Sequence, residues 1–412
     1  MWSPVLALVL LLAPGVSPTD QPRALSFQAA MASVGTTVQV RSASDAAEVS
    51  GKGARAQPRV TSNPVVSAAV GARVTPGDEQ GLEGTIGISQ PISVRRYVRH
   101  SREALQAETR WRVARIDEAR LGQQLTVARA WLELRRAEEQ HALAVEQVGV
   151  EQARVETLQR LVAAQERNAG DRVDAEAELE RARLQVLDAE GAQVDAGYAL
   201  AQALGRVDTE PLETVGVTPE PGVPSPLEQV ALVRDVASLP SARAARLLAA
   251  AESVRGQEAW ASAGPKVSVG LQAQRESQGS TIVQGTVSVP IPAVRRGHRQ
   301  RVAHAATAAA LQGEAEVEVT ALRGTVLRAV HELEHTQRVH EQLETVLLPA
   351  GVRAVELRER EAELGEALQI EVLDARRRAF ELRGRWIDAR IDRAWAQTLV
   401  ALLAAASERG AL

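Results

Sequence analysis

Four short stretches of this 412-residue chain alternate between apolar and polar positions, and most of the rest repeats with helical period. Over Val65 to Val74, Val66, Ala68, Val70, Ala72 and Val74 point one way. Ser67, Ala69, Gly71 and Arg73 point the other way. A second strand is predicted over Gly84 to Gln90, with Ile86 and Ile88 opposite Thr85, Gly87 and Ser89, and with Pro91 closing it. The third runs from Lys266 to Gln274 and sets Val267, Val269, Leu271 and Ala273 against Lys266, Ser268, Gly270 and Gln272. In the fourth, Thr281 to Val289, Val283, Val287 and Val289 oppose Gln284, Thr286 and Ser288. Turn signals at Thr75-Pro76-Gly77-Asp78 and Gln278-Gly279-Ser280 join these strands into two β-hairpins, 64–90 and 266–289.

Between the strands the period changes to that of helices. A weakly amphipathic helix is predicted from Leu25 to Gln57. From Val94 to Ala169 there is no proline, and a continuous helix of that length would span about 110 Å. Val148, Val155 and Val162 recur every seven residues there, with Leu158 between them. Gly170 reads as a helix end and turn, after which Ala175, Ala182, Ala189, Ala196 and Ala203 recur at the same spacing. The proline-rich stretch 206–226 reads as a linker with no helix or buried strand. A helix from Leu227 to Ser262 follows, interrupted near Leu239-Pro240. Val294 to Leu364 is a long helix that Pro349 should kink, and a returning helix after Gly365 runs to about Glu408.

The two halves share letters as well as pattern. Gly84-Thr85-Ile86 to Arg95-Arg96 matches Gly285-Thr286-Val287 to Arg295-Arg296, and Thr126-Val127-Ala128-Arg129-Ala130 matches Thr325-Val326-Leu327-Arg328-Ala329. The chain reads as a duplicated half, residues 21–205 and 227–408. Each half has a helix, a β-hairpin and a long helical hairpin with a glycine tip, Gly170 or Gly365. Just behind the tips stand carboxylates: Glu176 six residues after Gly170, Glu371 six after Gly365, and Asp374 on the same helix face as Glu371.

Composition narrows the class. There is no Cys, so disulfides and thiol catalysis are excluded. Aromatics make up only 2%, which suits long helices in coiled-coil contact, and a net charge of −4 with dispersed charges leaves no nucleic-acid footprint. The apolar run from Trp2 to Val16 predicts a signal peptide within residues 1–20. Nothing later is apolar for long enough to form a spanning helix. The strands do have the length of outer membrane barrel strands. Four cannot close around a lumen, and an open sheet edge is forbidden in lipid, so other copies of the chain must complete the barrel.

Taken together, the tip motifs, duplicated halves and strand hairpins resemble the TolC-like outer membrane efflux proteins over essentially the whole mature length. The Val287-Ser288-Val289-Pro290-Ile291-Pro292 run is similar to the CzcC-like metal-efflux branch. The resemblance implies a homotrimer with a twelve-stranded barrel in the outer membrane of a Gram-negative bacterium, continued by a long periplasmic tunnel of helices. It implies a passive conduit in a tripartite efflux or type I secretion system, working with a periplasmic adaptor and an inner-membrane pump. Gly170 and Gly365 would be the adaptor-docking tips, and Glu371, Asp374 and Glu176 the acidic positions of the periplasmic aperture. The cargo (metal ion, drug or protein) stays open.

Other chemistry is read as absent. No catalytic residues, cofactor fingerprint or phosphate loop are found, and the chain is read as a non-enzyme. His331-Glu332-Leu333-Glu334-His335 matches the spacing of zinc proteases, but Leu333 lies on a heptad seam and the matching Trp131 to Arg135 segment has no His. No metal site is therefore assigned. A periplasmic coiled-coil adaptor would carry one helical hairpin and a different β domain, and a soluble structural scaffold would have no use for four alternating strands.

Overall fold

The computed structural model describes residues 24–56, 63–73, 81–93, 96–206, 210–276, 279–289 and 296–411. The signal segment, the Thr75–Asp78 turn and Pro290 lie outside the described residues. The chain is mainly α with a small β portion. In order, it forms β1 (Ala24–Leu25), α1 (Phe27–Ala32), α2 (Val38–Ala56), β2 (Val65–Arg73), β3 (Gly81–Ser93), α3 (Tyr97–Ala163) and α4 (Ala169–Ala203). There follow β4 (Glu213–Thr214), α5 (Pro226–Arg234), α6 (Pro240–Ser262), β5 (Lys266–Arg275), β6 (Thr281–Ser288), α7 (Arg296–Gln342), α8 (Leu348–Glu363) and α9 (Gln369–Ala411). Two compact units divide it: Met1–Ser33, Thr126–Pro219 and Arg338–Trp395 make the first, and Val34–Leu125, Glu220–Gln337 and Ala396–Leu412 the second.

The second unit holds the four-stranded antiparallel sheet, in the order β2-β3-β5-β6. Its register puts like with like. Val66 pairs with Ile88, Ala68 with Ile86, Ile88 with Leu271, Ala273 with Val283 and Val269 with Val287. Because side chains alternate along every strand, these pairs stack the apolar residues on one face. Ser67, Thr85, Ser89, Gly270, Gln272 and Thr286 lie on the other. Burial is inverted relative to a water-soluble sheet. Val70 is 81% exposed and Val283 69%, whereas Thr85, Ser89 and Thr286 on the polar face are half-buried. Strands β3 and β5 approach so closely at Gly270 that a Cβ there would meet the Ile88 carbonyl oxygen at 2.5 Å.

Pro91 does not close β3, as its sequence position suggests; the strand runs on to Ser93, with Pro91 opposite Ser268. The β2 ladder has already ended at Val65 opposite Ser89. Pro91 therefore has a ladder neighbour on one side only, and its missing N–H costs no hydrogen bond on the other.

Leu232, Val236, Leu239, Val326, Leu333, Val400 and Leu403 form an apolar core cluster of the second unit. The helices α3, α6 and α7 are also tied by charge. Arg255 donates to Glu108 Oε2 at 3.0 Å and to Glu252 Oε2 at 3.2 Å, Arg112 donates to Glu108 Oε1 at 2.7 Å, and His304 Nδ1 donates to Glu252 Oε1 at 2.6 Å. Burial alone would push both carboxyls up. The hydrogen bonds from Arg112 and Arg255, and from His304 and Arg255, outweigh it and hold Glu108 and Glu252 below the ordinary value of 4.5.

The segment from Ala24 onward is clasped rather than helical throughout. The helix expected over 25–57 is broken: Ser26 caps α1, a 3-10 turn spans Ser33–Thr36, and only α2 continues. Leu25 pairs in parallel with Thr214, and its carbonyl accepts from Trp131 Nε1 at 2.9 Å. The Thr214 N–H donates to Glu138 Oε1 at 2.6 Å, and Leu212 is buried. The proline-rich stretch is thus anchored partway along by a two-residue strand, not a plain linker. Instead of a simple proline kink, a π-helical turn over Leu343–Leu347 precedes Pro349; the extra residue accommodates a ring that cannot donate into the helix ladder.

Cutting the charge network should be measurable. Arg255→Ala leaves two half-buried carboxylates short of a donor and is expected to cost about 1–2 kcal/mol at neutral pH. A depressed carboxyl pKa gives stability that is present above 4.5 and lost as pH falls below it. The gap between wild type and variant should therefore narrow in acid, read as the thermal midpoint of the helical circular dichroism signal.

Candidate functional site

Two helix-to-helix turns, both in the first unit, carry the candidate residues. After α8, Gly365 takes φ +75°, its N–H donates to the Ala362 carbonyl at 3.1 Å, and the Glu366 N–H reaches back to the Glu361 carbonyl at 2.8 Å. This is the Schellman arrangement, in which one left-handed residue lets its own N–H and that of the next residue satisfy the last helix carbonyls. After α3 the same pattern recurs, with the Gln165 N–H donating to Val162 at 3.0 Å and the Glu166 N–H to Leu161 at 2.9 Å. Here the left-handed residue is Gln165, at φ +62°.

Gly170 is therefore not the turn residue that its composition suggests. It sits one residue inside α4, and a Cβ there would meet nothing within 4 Å. Matching the turns by their hydrogen bonds sets Gln165 against Gly365, Gly170 against Ile370, Asp171 against Glu371 and Asp174 against Asp374. The counterpart of Glu176 is then Arg376, not Glu371. The shared Asp-Ala letters at Asp174-Ala175 and Asp374-Ala375 carry this correspondence in the sequence, and a search for glycine passes over it.

Apolar burial fixes both turns. Val155 and Leu158 of α3, Ala175 and Leu179 of α4 and Ile370 of α9 form one cluster. With Ile370, Val372, Leu373 and Ala375 buried, Glu371 and Asp374 are left half-exposed on the free side of α9.

Neither carboxylate stands alone. Arg358 Nη1 lies 3.3 Å from Glu371 Oε2 and 2.7 Å from Glu361 Oε2. Arg154 Nη2 of α3 lies 3.5 Å from Asp374 Oδ1, and its Nη1 lies 3.6 Å from the buried Glu151. The four carboxylates Glu151, Glu361, Glu371 and Asp374 thus face the guanidinium groups of Arg154 and Arg358, and Arg378 donates to the Asp374 carbonyl at 3.2 Å. Sequence reasoning missed Arg154 and Glu151 because α3 and α9 are far apart in the chain, and Arg358 because it faces Glu371 from across the turn, on α8. Glu176 pairs with Arg172 of its own helix at 3.5 Å.

No protein-family model matches the chain, and no curated protein matches it. Among solved structures, the fold is similar to that of outer membrane channels. A membrane protein from Pseudomonas aeruginosa is similar with a TM-score of 0.66 at 19% identity, covering 92% of this chain and 90% of that one. The Neisseria gonorrhoeae MtrE outer membrane channel, in its open state, gives a TM-score of 0.63 at 20% identity, covering 92% and 88%. CusC, described for its transmembrane channel formation, gives 0.64 at 14% identity, covering 95% and 99%. At these identities the likeness is one of fold.

The two glycines separate by substitution. Gly365→Ala forces a Cβ into the left-handed region and should cost about 1 kcal/mol. Gly170→Ala replaces a helical glycine in open space and should gain about 0.5–1 kcal/mol. Opposite shifts of the thermal midpoint are expected from the two variants.

Proposed function

We propose that the chain is the outer membrane channel of a tripartite efflux or type I secretion system, a passive conduit from periplasm to exterior. The observation that carries this reading is the inverted sheet: on its central strands Ile86, Ile88, Val269 and Leu271 of the apolar face are exposed, whereas Thr85, Ser89, Ser268 and Gln272 of the polar face are half-buried. An apolar face of that extent suits lipid, and the polar face suits a water-filled lumen. Strand lengths of 9, 13, 10 and 8 residues fit a bilayer crossed at a tilt. No described helix is long and apolar enough to cross a membrane.

On this reading three copies close a twelve-stranded barrel, each chain supplying a duplicated pair of hairpins. The turns at Gln165 and Gly365 face a periplasmic adaptor, which links the channel to an inner-membrane pump; Gly170 lies just behind the first of them. Glu371 and Asp374 line the periplasmic mouth, with Glu176 further back on α4. Their arginine partners hold the carboxylates in place, and the ring of carboxylates, repeated by the trimer, attracts cations to the opening. The signal segment directs export and is removed. The likeness to outer membrane channels supports the setting, and the paired charges at the second turn support the mouth.

Planar-bilayer recording tests the assignment. Glu371→Gln with Asp374→Asn should leave the trimer and its circular dichroism spectrum unchanged. It should lower cation preference, moving the reversal potential in a salt gradient toward zero. A wild-type reversal potential in the double variant would place these residues outside the constriction, where exposed charges are screened over about 10 Å.

A further inference from the structure

His331-Glu332-Leu333-Glu334-His335 has no part in the proposed channel function, yet α7 gives it a defined geometry. Leu333 is buried in the apolar core of the second unit. At about 100° per residue, His331 and His335 fall about 160° and 200° round the helix from Leu333. They therefore straddle the side of α7 turned away from that core, one turn apart, with Cβ atoms about 6 Å from each other. Both are exposed. They are also the only two of the chain's seven histidines spaced i,i+4. Of the others, His304 is held by Glu252, His100 by Glu103, and His340 is buried.

We propose that His331 and His335 form a two-imidazole chelate for a divalent transition-metal ion of the Cu2+, Ni2+ or Zn2+ class. Imidazole nitrogen suits these ions, and two of them on adjacent turns can occupy neighbouring coordination positions without moving the backbone. No group of three or more ligating side chains gathers among the described residues, so water fills the remaining positions. Glu332 lies about 100° round the helix from His331 and takes no part. Without a third protein ligand or a cleft, the site holds a metal and does not hydrolyse a peptide, which separates it from the zinc proteases that share its spacing. Arg328, exposed three residues before His331, adds positive charge to the same side and keeps the affinity modest.

The test is calorimetric titration of the full chain, purified in detergent, with Cu2+ alone and with Ni2+ alone. One ion per chain is expected, Cu2+ binding more tightly than Ni2+. His331→Ala, His335→Ala and the double variant should each weaken binding by about tenfold or more. Glu332→Gln should bind as wild type, and circular dichroism should be unchanged in all four because every altered side chain is exposed. The proposal is overturned if wild type takes up neither ion saturably, if the double variant keeps wild-type affinity, or if Glu332→Gln loses the ion.

Discussion

Backbone hydrogen bonding at the rim of the sheet is the constraint on which the rest depends. The order β2-β3-β5-β6 leaves β2 and β6 with one neighbour each. In lipid every unsatisfied N–H or C=O costs several kcal/mol, and no water is present to relieve it. Within a membrane, then, this sheet is stable only when β2 of one chain meets β6 of another. The side chains agree with the backbone. Val66, Ile86, Leu271 and Val287 crowd the exposed apolar face, where water would be a poor solvent for them, and the opposite face carries mainly Ser, Thr, Gln and Gly. The likeness to outer membrane channels is a likeness in this architecture, reached at 14–20% identity among the structures compared.

At the turns, burial and charge divide the labour. The cluster of Val155, Leu158, Ala175, Leu179 and Ile370 sets where α3, α4 and α9 lie, because apolar contact is favourable whatever the exposed residues are. The Arg358–Glu371 pair is half-exposed, and a pair of that kind contributes little to stability. Exposed charge at the second turn is therefore not what holds the fold there. The sequence preference of that surface can change without loss of the fold.

What could be read from the chain alone follows the physics of each element. Alternation in 65–73, 266–275 and 281–288 is legible because one face of each strand must be apolar along its whole length. The end of β3 is not, because whether Pro91 stops a strand depends on a neighbouring ladder that ends at Val65. The second turn is legible through Gly365, whose left-handed backbone is cheapest for glycine. The first is not, because Gln165 accepts the same backbone at a cost that the surrounding cluster offsets, and the nearby Gly170 draws the eye instead. The β1–β4 bridge is too short to leave a pattern and rests on Trp131 and Glu138, more than seventy residues from one or other of the strands they hold.

The most direct measurement is the mass of the detergent-solubilised particle, taken alongside its β-sheet circular dichroism signal. Three chains per particle are predicted, with the β signal lost whenever the particle is driven to single chains. A stable single chain that keeps its full β signal would contradict the account, because the two open edges of its sheet would then need no partner.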